Sequence, residues 1–183
     1  VVNSLGTAAV AGYTAATKAD QLSVLVNNAM MTTISNYVAQ NFGAGKKDRI
    51  RLGVRASLIQ TEAFNILMCI GILLLRHPIV ELFLSNPTAE IYHYSDAFLT
   101  IEAPFYFLLG LLAVYRTSIQ SMQNGRAPFA ACMIELVMRL AATVWLSRFL
   151  GYTAVCIASP LAWFGAIALL ITVYYLMMMK PVK

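Results

Sequence analysis

The feature that most constrains this chain is an uncharged apolar run near its C-terminus. Between Ala154 and Met179, 26 consecutive residues include no Asp, Glu, Lys or Arg. Roughly 20 apolar residues, at ~1.5 Å each, suffice for a helix to cross the ~30 Å hydrocarbon layer of a bilayer. The whole chain is similarly apolar, with 60% hydrophobic residues, 11% charged residues and a mean hydropathy of +0.70. These values predict a membrane protein.

Glycine and proline signals divide the chain into five long helices, and strand-type alternation is absent. We expect helices at 7–43, 48–76, 88–123, 128–150 and 153–180. After His77-Pro78, the short apolar piece Ile79–Leu84 is expected to lie in the membrane interface. The predicted fold class is an all-α polytopic membrane bundle with five near-complete transmembrane helices of a presumed six-helix repeat.

The first six residues have the pattern of a helix end, because Gly6 follows a short apolar stretch that starts at Val1. We therefore expect residues 1–6 to be the end of a truncated transmembrane helix. Residues 7–183 are expected to form the C-terminal transmembrane bundle of a longer polypeptide.

The distribution of basic residues predicts the orientation in the membrane. One side has Arg76 and Arg148 alone. The other side has seven basic residues: Lys46, Lys47, Arg49, Arg51, Arg126, Lys180 and Lys183. The positive-inside rule places the 43–51 and 124–127 loops and the C-terminus in the cytoplasm of a multi-pass plasma-membrane protein. The net charge of +5 comes from short clusters, which argues against a nucleic-acid partner.

Ionisable residues inside the spans are the first candidates for function, because each costs roughly 2.5–3.5 kcal/mol at a helix centre. Asp20, Glu62 and Glu102 come from three different helices. Each lies roughly 15–20 Å from a helix end. Neither Glu62 nor Glu102 has a local partner, so we expect the three carboxylates to share a polar cavity near the membrane centre.

Three further residues accompany these acids as candidates for contact with a substrate or ion. Lys18 shares a helix face with Asn28, and it lies about 200° around the helix from Asp20, so the two do not pair. Tyr106 follows Glu102 by one turn, and this acid–aromatic face could hold a cation. Pro104, between them, is expected to loosen the helix.

A second set of charged residues has a structural explanation. Glu135 precedes Arg139 by four residues, which is the favoured order for a helical ion pair. Arg116 precedes the Asn124-Gly125 turn by about as much as Glu135 follows it. We therefore expect Arg116, Glu135 and Arg139 to form a structural ion-pair triad.

Catalytic and metal-binding signals are weak in this sequence. The three cysteines lie in apolar stretches without C-x-x-C spacing, which argues against a disulfide framework or a metal site. His77 and His93 both fall near the outer boundary, and no H-E-x-x-H pair or Ser–His arrangement stands at mid-membrane depth. We predict that the protein is not an enzyme.

Four sequence blocks resemble one family of membrane proteins. They are VNSLGTAAVAGY at Val2–Tyr13, QNFGAGK at Gln40–Lys46, QSMQNGRAP at Gln120–Pro128 and SPLAW at Ser159–Trp163. Together they are similar to blocks of the multidrug and toxic compound extrusion (MATE) family. The resemblance covers nearly the whole chain.

The resemblance implies a transporter of two six-helix bundles, of which this chain matches the second without most of its first helix. It further implies export of organic cations and other amphipathic compounds in exchange for protons or sodium ions, with no cofactor. Glu102 loosely matches an acid of the family. The implied partners are the substrate, the coupling ion, the lipid bilayer and the absent N-terminal bundle of the same polypeptide.

Two alternatives to an exporter remain open at this point. A flippase for lipid-linked saccharides belongs to the same broad superfamily. It would need several cationic residues for a pyrophosphate, and Lys18 is the unpaired basic candidate near mid-membrane. A membrane scaffold without transport is the other alternative, but a scaffold rarely needs so many buried acids.

Overall fold

Two long antiparallel helices open the chain. A short 3-10 turn at Val2–Leu5 leads through Gly6, whose φ is +101°, into helix α1 at Thr7–Gly43. Helix α2 spans Lys47–Phe83. The turn between the helices is tight because Gly45 adopts a positive φ of 68°, a conformation that glycine tolerates without a steric penalty.

The computed structural model describes residues 2–84 and 86–179. The sequence-based expectations that concern Val1, Ser85 and residues 180–183 lie outside the described residues. This includes Lys180 and Lys183, which contribute to the predicted orientation.

Helix α2 passes through Pro78 without ending. The expected helix end at residue 76 and the separate interfacial piece Ile79–Leu84 are therefore wrong. Pro78 removes one helical hydrogen bond, but the rest of the helix hydrogen bonding continues on both sides of it. The side chain of Val80, two residues further on, is fully buried and holds the last turns in place.

The third span changes helix type at its middle. Helix α3 covers Ala89–Glu102, a 3-10 turn follows at Ala103–Phe105, and helix α4 covers Tyr106–Ser121. The 3-10 turn contains Pro104, which cannot donate the backbone hydrogen bond that an α-helix requires. The break therefore lies at the depth where Glu102 and Tyr106 are found.

The last two spans form a hairpin that packs against α4. Helix α5 at Arg126–Ala141 continues through a π turn at Ala142–Leu146 into the short helix α6 at Ser147–Leu150. Helix α7 then covers Tyr152–Met179. It packs against α3, α4 and α5, whereas α1 packs against α2, α3 and α4.

Small residues bring α1 close to α3. Ala9, Ala16 and Ala19 are fully buried at helical spacing, and Gly12 lies between them on the same face. A Cβ atom on Gly12 would lie 2.7 Å from the carbonyl oxygen of Ile91, so the backbones approach as closely as a glycine allows.

By length and composition, four helical segments of the described residues could cross a membrane. They are Lys47–Phe83, Ala89–Ser121, Arg126–Leu150 and Tyr152–Met179. The predicted all-α polytopic membrane bundle is confirmed. Helix α1 has 37 residues but is not among the four, because charged and amide side chains interrupt its apolar sequence.

Candidate functional site

Four polar side chains from four helices meet around Asp20 and Glu102. The Asp20 carboxylate of α1 has a polar contact with the hydroxyl of Tyr106 in α4. The Glu102 carboxylate of α3 has one with the hydroxyl of Ser159 in α7. The two carboxylates are close enough for electrostatic repulsion. We call Asp20, Glu102, Tyr106 and Ser159 the carboxylate cluster.

The carboxylate cluster is largely buried and incompletely hydrogen-bonded. Glu102 is 2% exposed and Tyr106 is 1% exposed. Asp20 Oδ1 and Glu102 Oε2 are buried and have no hydrogen-bond partner among the described residues. Two adjacent negative charges in such surroundings are unfavourable, and a proton or a monovalent cation between them would relieve the repulsion.

The local structure explains why these residues meet. Glu102 is the last residue of α3 and Tyr106 is the first of α4, and the 3-10 turn between them lets both side chains face α1. Ala16 and Ala19 are fully buried beside them and leave room for the polar groups. The break at Pro104 and the small side chains of α1 thus form this site together.

Arg139 of α5 is an exposed residue whose charge acts on the carboxylate cluster without direct contact. Its charge interacts electrostatically with Asp20, Glu102 and Tyr13, but among the described residues it forms no ion pair within 4.0 Å. Arg116 donates a charged hydrogen bond to Glu135 across the α4–α5 hairpin. Of the expected triad, Arg116 and Glu135 are paired, and Arg139 forms no ion pair with Glu135 within 4.0 Å among the described residues.

Glu62 lies in a separate polar group between α2 and α4. Asn27 Nδ2 donates to Asn65 Oδ1 over 3.1 Å, and these residues are 3% and 1% exposed. Both carboxylate oxygens of Glu62 are buried without a hydrogen-bond partner among the described residues. A Cβ atom on Gly110 would lie 2.6 Å from Glu62 Oε1. We call Asn27, Glu62, Asn65 and Gly110 the Glu62 cluster.

The structure does not place all three acids in one cavity. Asp20 and Glu102 interact electrostatically with each other. Burial dominates the electrostatic environment of Glu62, and no charged side chain among the described residues interacts with it. Glu62 contacts Gly110, which lies two turns beyond Glu102 along the α3–α4 span. The expectation of a single cavity was based on depth alone, and depth does not determine how each helix is rotated.

Lys18 and Asn28 lie in neither cluster. Both side chains are exposed on one face of α1, with Thr14, Gln21 and Thr32 at the same helical spacing. We call Thr14, Lys18, Gln21, Asn28 and Thr32 the α1 polar stripe. An exposed polar face on a helix of a membrane bundle requires water or other protein beside it.

Sequence reasoning did not identify several residues of the two clusters. Ser159, Asn65 and Gly110 are small or uncharged, and such residues have many packing uses in membrane helices. A usable signal exists for Asn65, since it follows Thr61 and Glu62 by about one helical turn and so lies on the same side of α2. Among the described residues, no group of three or more His, Cys, Asp or Glu side chains could hold a metal ion.

The apolar spans and the buried polar clusters define a multi-pass membrane protein. A model of the MatE family matches residues 1–145, which is most of the chain. The chain therefore belongs to the MatE family, and the resemblance noted in its sequence is confirmed.

A curated relative extends the comparison. The FAD transporter of Shewanella oneidensis (strain MR-1) is 22% identical over 154 residues, which cover 84% of this chain and 34% of that protein. The chain thus spans about a third of the length of this relative. No solved structure matches the chain.

Proposed function

We propose that the protein containing this chain is a secondary active transporter that exports organic cations or other amphipathic compounds in exchange for protons or sodium ions. Membership of the MatE family favours transport over catalysis. The observation that carries the proposal is the pair of carboxylates of Asp20, which is partly buried, and Glu102, which is buried, each with a buried oxygen that has no hydrogen-bond partner among the described residues.

In this mechanism the carboxylate cluster holds one positive charge at a time. A cationic substrate, a proton or a sodium ion would compete for Asp20 and Glu102, because each relieves the same repulsion. The ring of Tyr106 is buried and has little surface free to contact a substrate. The role of Tyr106 in this mechanism is therefore to position the Asp20 carboxylate through its hydroxyl. Alternating access would expose the cluster to each side of the membrane in turn.

The α1 polar stripe supports the presence of a pathway beside the cluster. Lys18 and Asn28 point away from the buried side of α1, so they are available to line a space between this bundle and an N-terminal bundle. Asp20 is partly exposed and lies about 100° around the helix from its neighbour Gln21, which belongs to the stripe. A substrate in the space could therefore approach the carboxylates.

The relative named a FAD transporter supports a second substrate class. FAD combines flat aromatic rings with a negatively charged pyrophosphate, so its transport would need basic side chains along the pathway. Lys18 in the stripe and Arg139 beside the cluster are two such groups. A lipid-linked saccharide flippase would make the same demand, and a panel of substrates separates the three functions.

The test compares two glutamates in the protein expressed from its complete coding sequence. Glu102→Gln and Glu62→Gln are reconstituted into liposomes, and the export of ethidium, FAD and a lipid-linked saccharide is measured under imposed pH or sodium gradients. We expect Glu102→Gln to reduce gradient-driven ethidium export by at least about tenfold, because a single charge contact is worth more than ~1.4 kcal/mol in a dry site. We expect Glu62→Gln to retain most of it.

Equal export by wild type and Glu102→Gln would contradict the proposed coupling site. Export of FAD or flipping of the saccharide without export of ethidium would contradict the cationic substrate class. In that case Lys18→Gln should reduce transport of the anionic compound, which identifies the pathway independently.

A further inference from the structure

A basic cleft lies at the end of the bundle where α2 begins and α7 ends. Its volume is about 420 Å³. Arg51 and Arg55 of α2 form one side, and Tyr115, Tyr174 and Tyr175 of α4 and α7 form the other. The cleft shares no residue with either polar cluster, and Arg55 precedes Glu62 by seven residues, or ~10 Å along α2.

The two arginines differ in how much of their hydrogen-bonding capacity is used. Arg51 donates to the carbonyl oxygen of Met178 over 3.2 Å and lies 3.7 Å from the exposed carboxylate of Asp48. Arg55 forms no ion pair or side-chain hydrogen bond among the described residues. Most of the guanidinium N–H groups therefore remain available, and their fork matches the oxygens of a phosphate.

The tyrosines form a fixed aromatic wall opposite the arginines. The rings of Tyr115 and Tyr174 lie 5.2 Å apart, and those of Tyr174 and Tyr175 lie 5.5 Å apart, both edge to face. Tyr115 and Tyr174 are 6% and 4% exposed, so their positions are held by the core. Tyr175 is half exposed at the mouth of the cleft and can donate its hydroxyl.

The surroundings of the cleft favour a lipid over a soluble anion. Leu52 and Ile59 on the same helix are 67% and 64% exposed, which is the surface expected beside acyl chains. Arg51 and Arg55 lie about one and two turns inside the start of the span, within reach of the headgroup layer. Val54 and Leu58 complete the lining with apolar surface for the first methylenes of an acyl chain.

We propose that this cleft binds the phosphate of an anionic phospholipid, with Arg51, Arg55 and Tyr175 on the headgroup and the apolar lining beside its chains. Basic pockets between membrane helices are a recognised way to hold anionic headgroups. The predicted cytoplasmic position of the 43–51 loop would place the cleft in the leaflet where anionic lipid is enriched.

The test measures lipid retention by the detergent-purified protein, expressed from its complete coding sequence. Phosphatidylglycerol or phosphatidylcholine is added in steps, and bound lipid is counted by native mass spectrometry. We expect wild type to bind phosphatidylglycerol more tightly than phosphatidylcholine. The double variant Arg51→Gln with Arg55→Gln should bind phosphatidylglycerol about thirtyfold more weakly, since each basic residue near the membrane surface contributes ~1 kcal/mol to binding.

The matched control removes two positive charges elsewhere. Arg49→Gln with Arg126→Gln lowers the net charge equally at exposed positions that do not line the cleft, and should leave binding unchanged. Asp48→Asn should strengthen binding, because it removes the acid that offsets Arg51. If the Gln pair is poorly produced, Arg51→Lys with Arg55→Lys should still bind several-fold more weakly than wild type, because lysine lacks the fork.

Three results would overturn the proposal. Undiminished phosphatidylglycerol binding by the variants of Arg51 and Arg55 would exclude the cleft as the binding site. An equal loss of binding in the control pair, Arg49→Gln with Arg126→Gln, would indicate non-specific charge attraction. Displacement of the lipid by millimolar inorganic phosphate would assign the site to a soluble anion instead.

Discussion

The carboxylate cluster and the Glu62 cluster contain the same kind of residue in different surroundings. Asp20 and Glu102 face each other from two helices, and each also contacts a hydroxyl from a third or fourth helix. Glu62 is the single acid of its cluster, contacts Gly110 and lies beside the hydrogen-bonded amides of Asn27 and Asn65. Acids at membrane depth thus have different neighbours in the two clusters, and depth alone does not predict which of them takes part in coupling.

The difference has an energetic consequence. In the carboxylate cluster, one bound cation relieves the repulsion between two charges, so binding and release can each be favourable under different conditions. In the Glu62 cluster, protonation of one carboxyl group removes the unfavourable charge, and nothing further is gained from a second cation. We therefore expect mutations to affect transport at the first cluster and stability at the second.

The largest effect is expected from a double-mutant cycle between Asp20 and Glu102. Asp20→Asn, Glu102→Gln and the double variant are compared with wild type for gradient-driven export by proteoliposomes. Each single substitution should reduce export by at least about tenfold, and the double variant should be no worse than either, because two residues that hold one ion act as a unit.

Additive losses in that cycle would mean that the two acids act independently, which contradicts a shared ion. The pair Asp20→Asn and Glu62→Gln provides the control. These residues lie in different clusters, so their effects should add to within about 0.5 kcal/mol when converted to free energies.

A smaller effect, on stability, is expected at Gly110 in the Glu62 cluster. A Cβ atom in Gly110→Ala would collide with Asn65 and Glu62, and overpacking of this kind costs about 1–3 kcal/mol. The thermal unfolding midpoint in detergent should fall, while the ion dependence of export should remain that of wild type.

Gly71→Ala is the matched control for this substitution. Gly71 is also within a membrane helix, but no heavy atom would lie within 4 Å of its Cβ. We expect unchanged or slightly raised stability, because alanine favours the helix by up to about 1 kcal/mol. An altered ion dependence in Gly110→Ala would indicate that the Glu62 cluster takes part in coupling, and the distinction between the clusters would be lost.

The sequence indicated the fold class and most of the charged residues of the site, because charges inside apolar helices are rare and conspicuous. It could not indicate which acids meet. Asp20 and Glu102 are brought together by the 3-10 turn at Pro104 and by the close approach of α1, and both depend on tertiary packing. Pro78 shows the converse, since a residue that predicts a helix end lies inside α2, whose last turns are held by the buried side chain of Val80.

The smallest effect is expected at Arg139, whose charge lies near the carboxylate cluster without an ion pair among the described residues. Arg139→Gln removes a positive charge that competes with a bound cation. The affinity for sodium ions or protons, measured from the dependence of export on their concentration, should therefore rise by about two- to threefold, which is the effect expected of an exposed charge. Arg116→Gln should instead lower the thermal unfolding midpoint and leave ion affinity unchanged, because Arg116 is paired with Glu135 on the other side of the hairpin. If both arginine variants change ion affinity alike, the effect is one of overall charge, and the electrostatic interaction of Arg139 with Asp20 and Glu102 has no part in coupling.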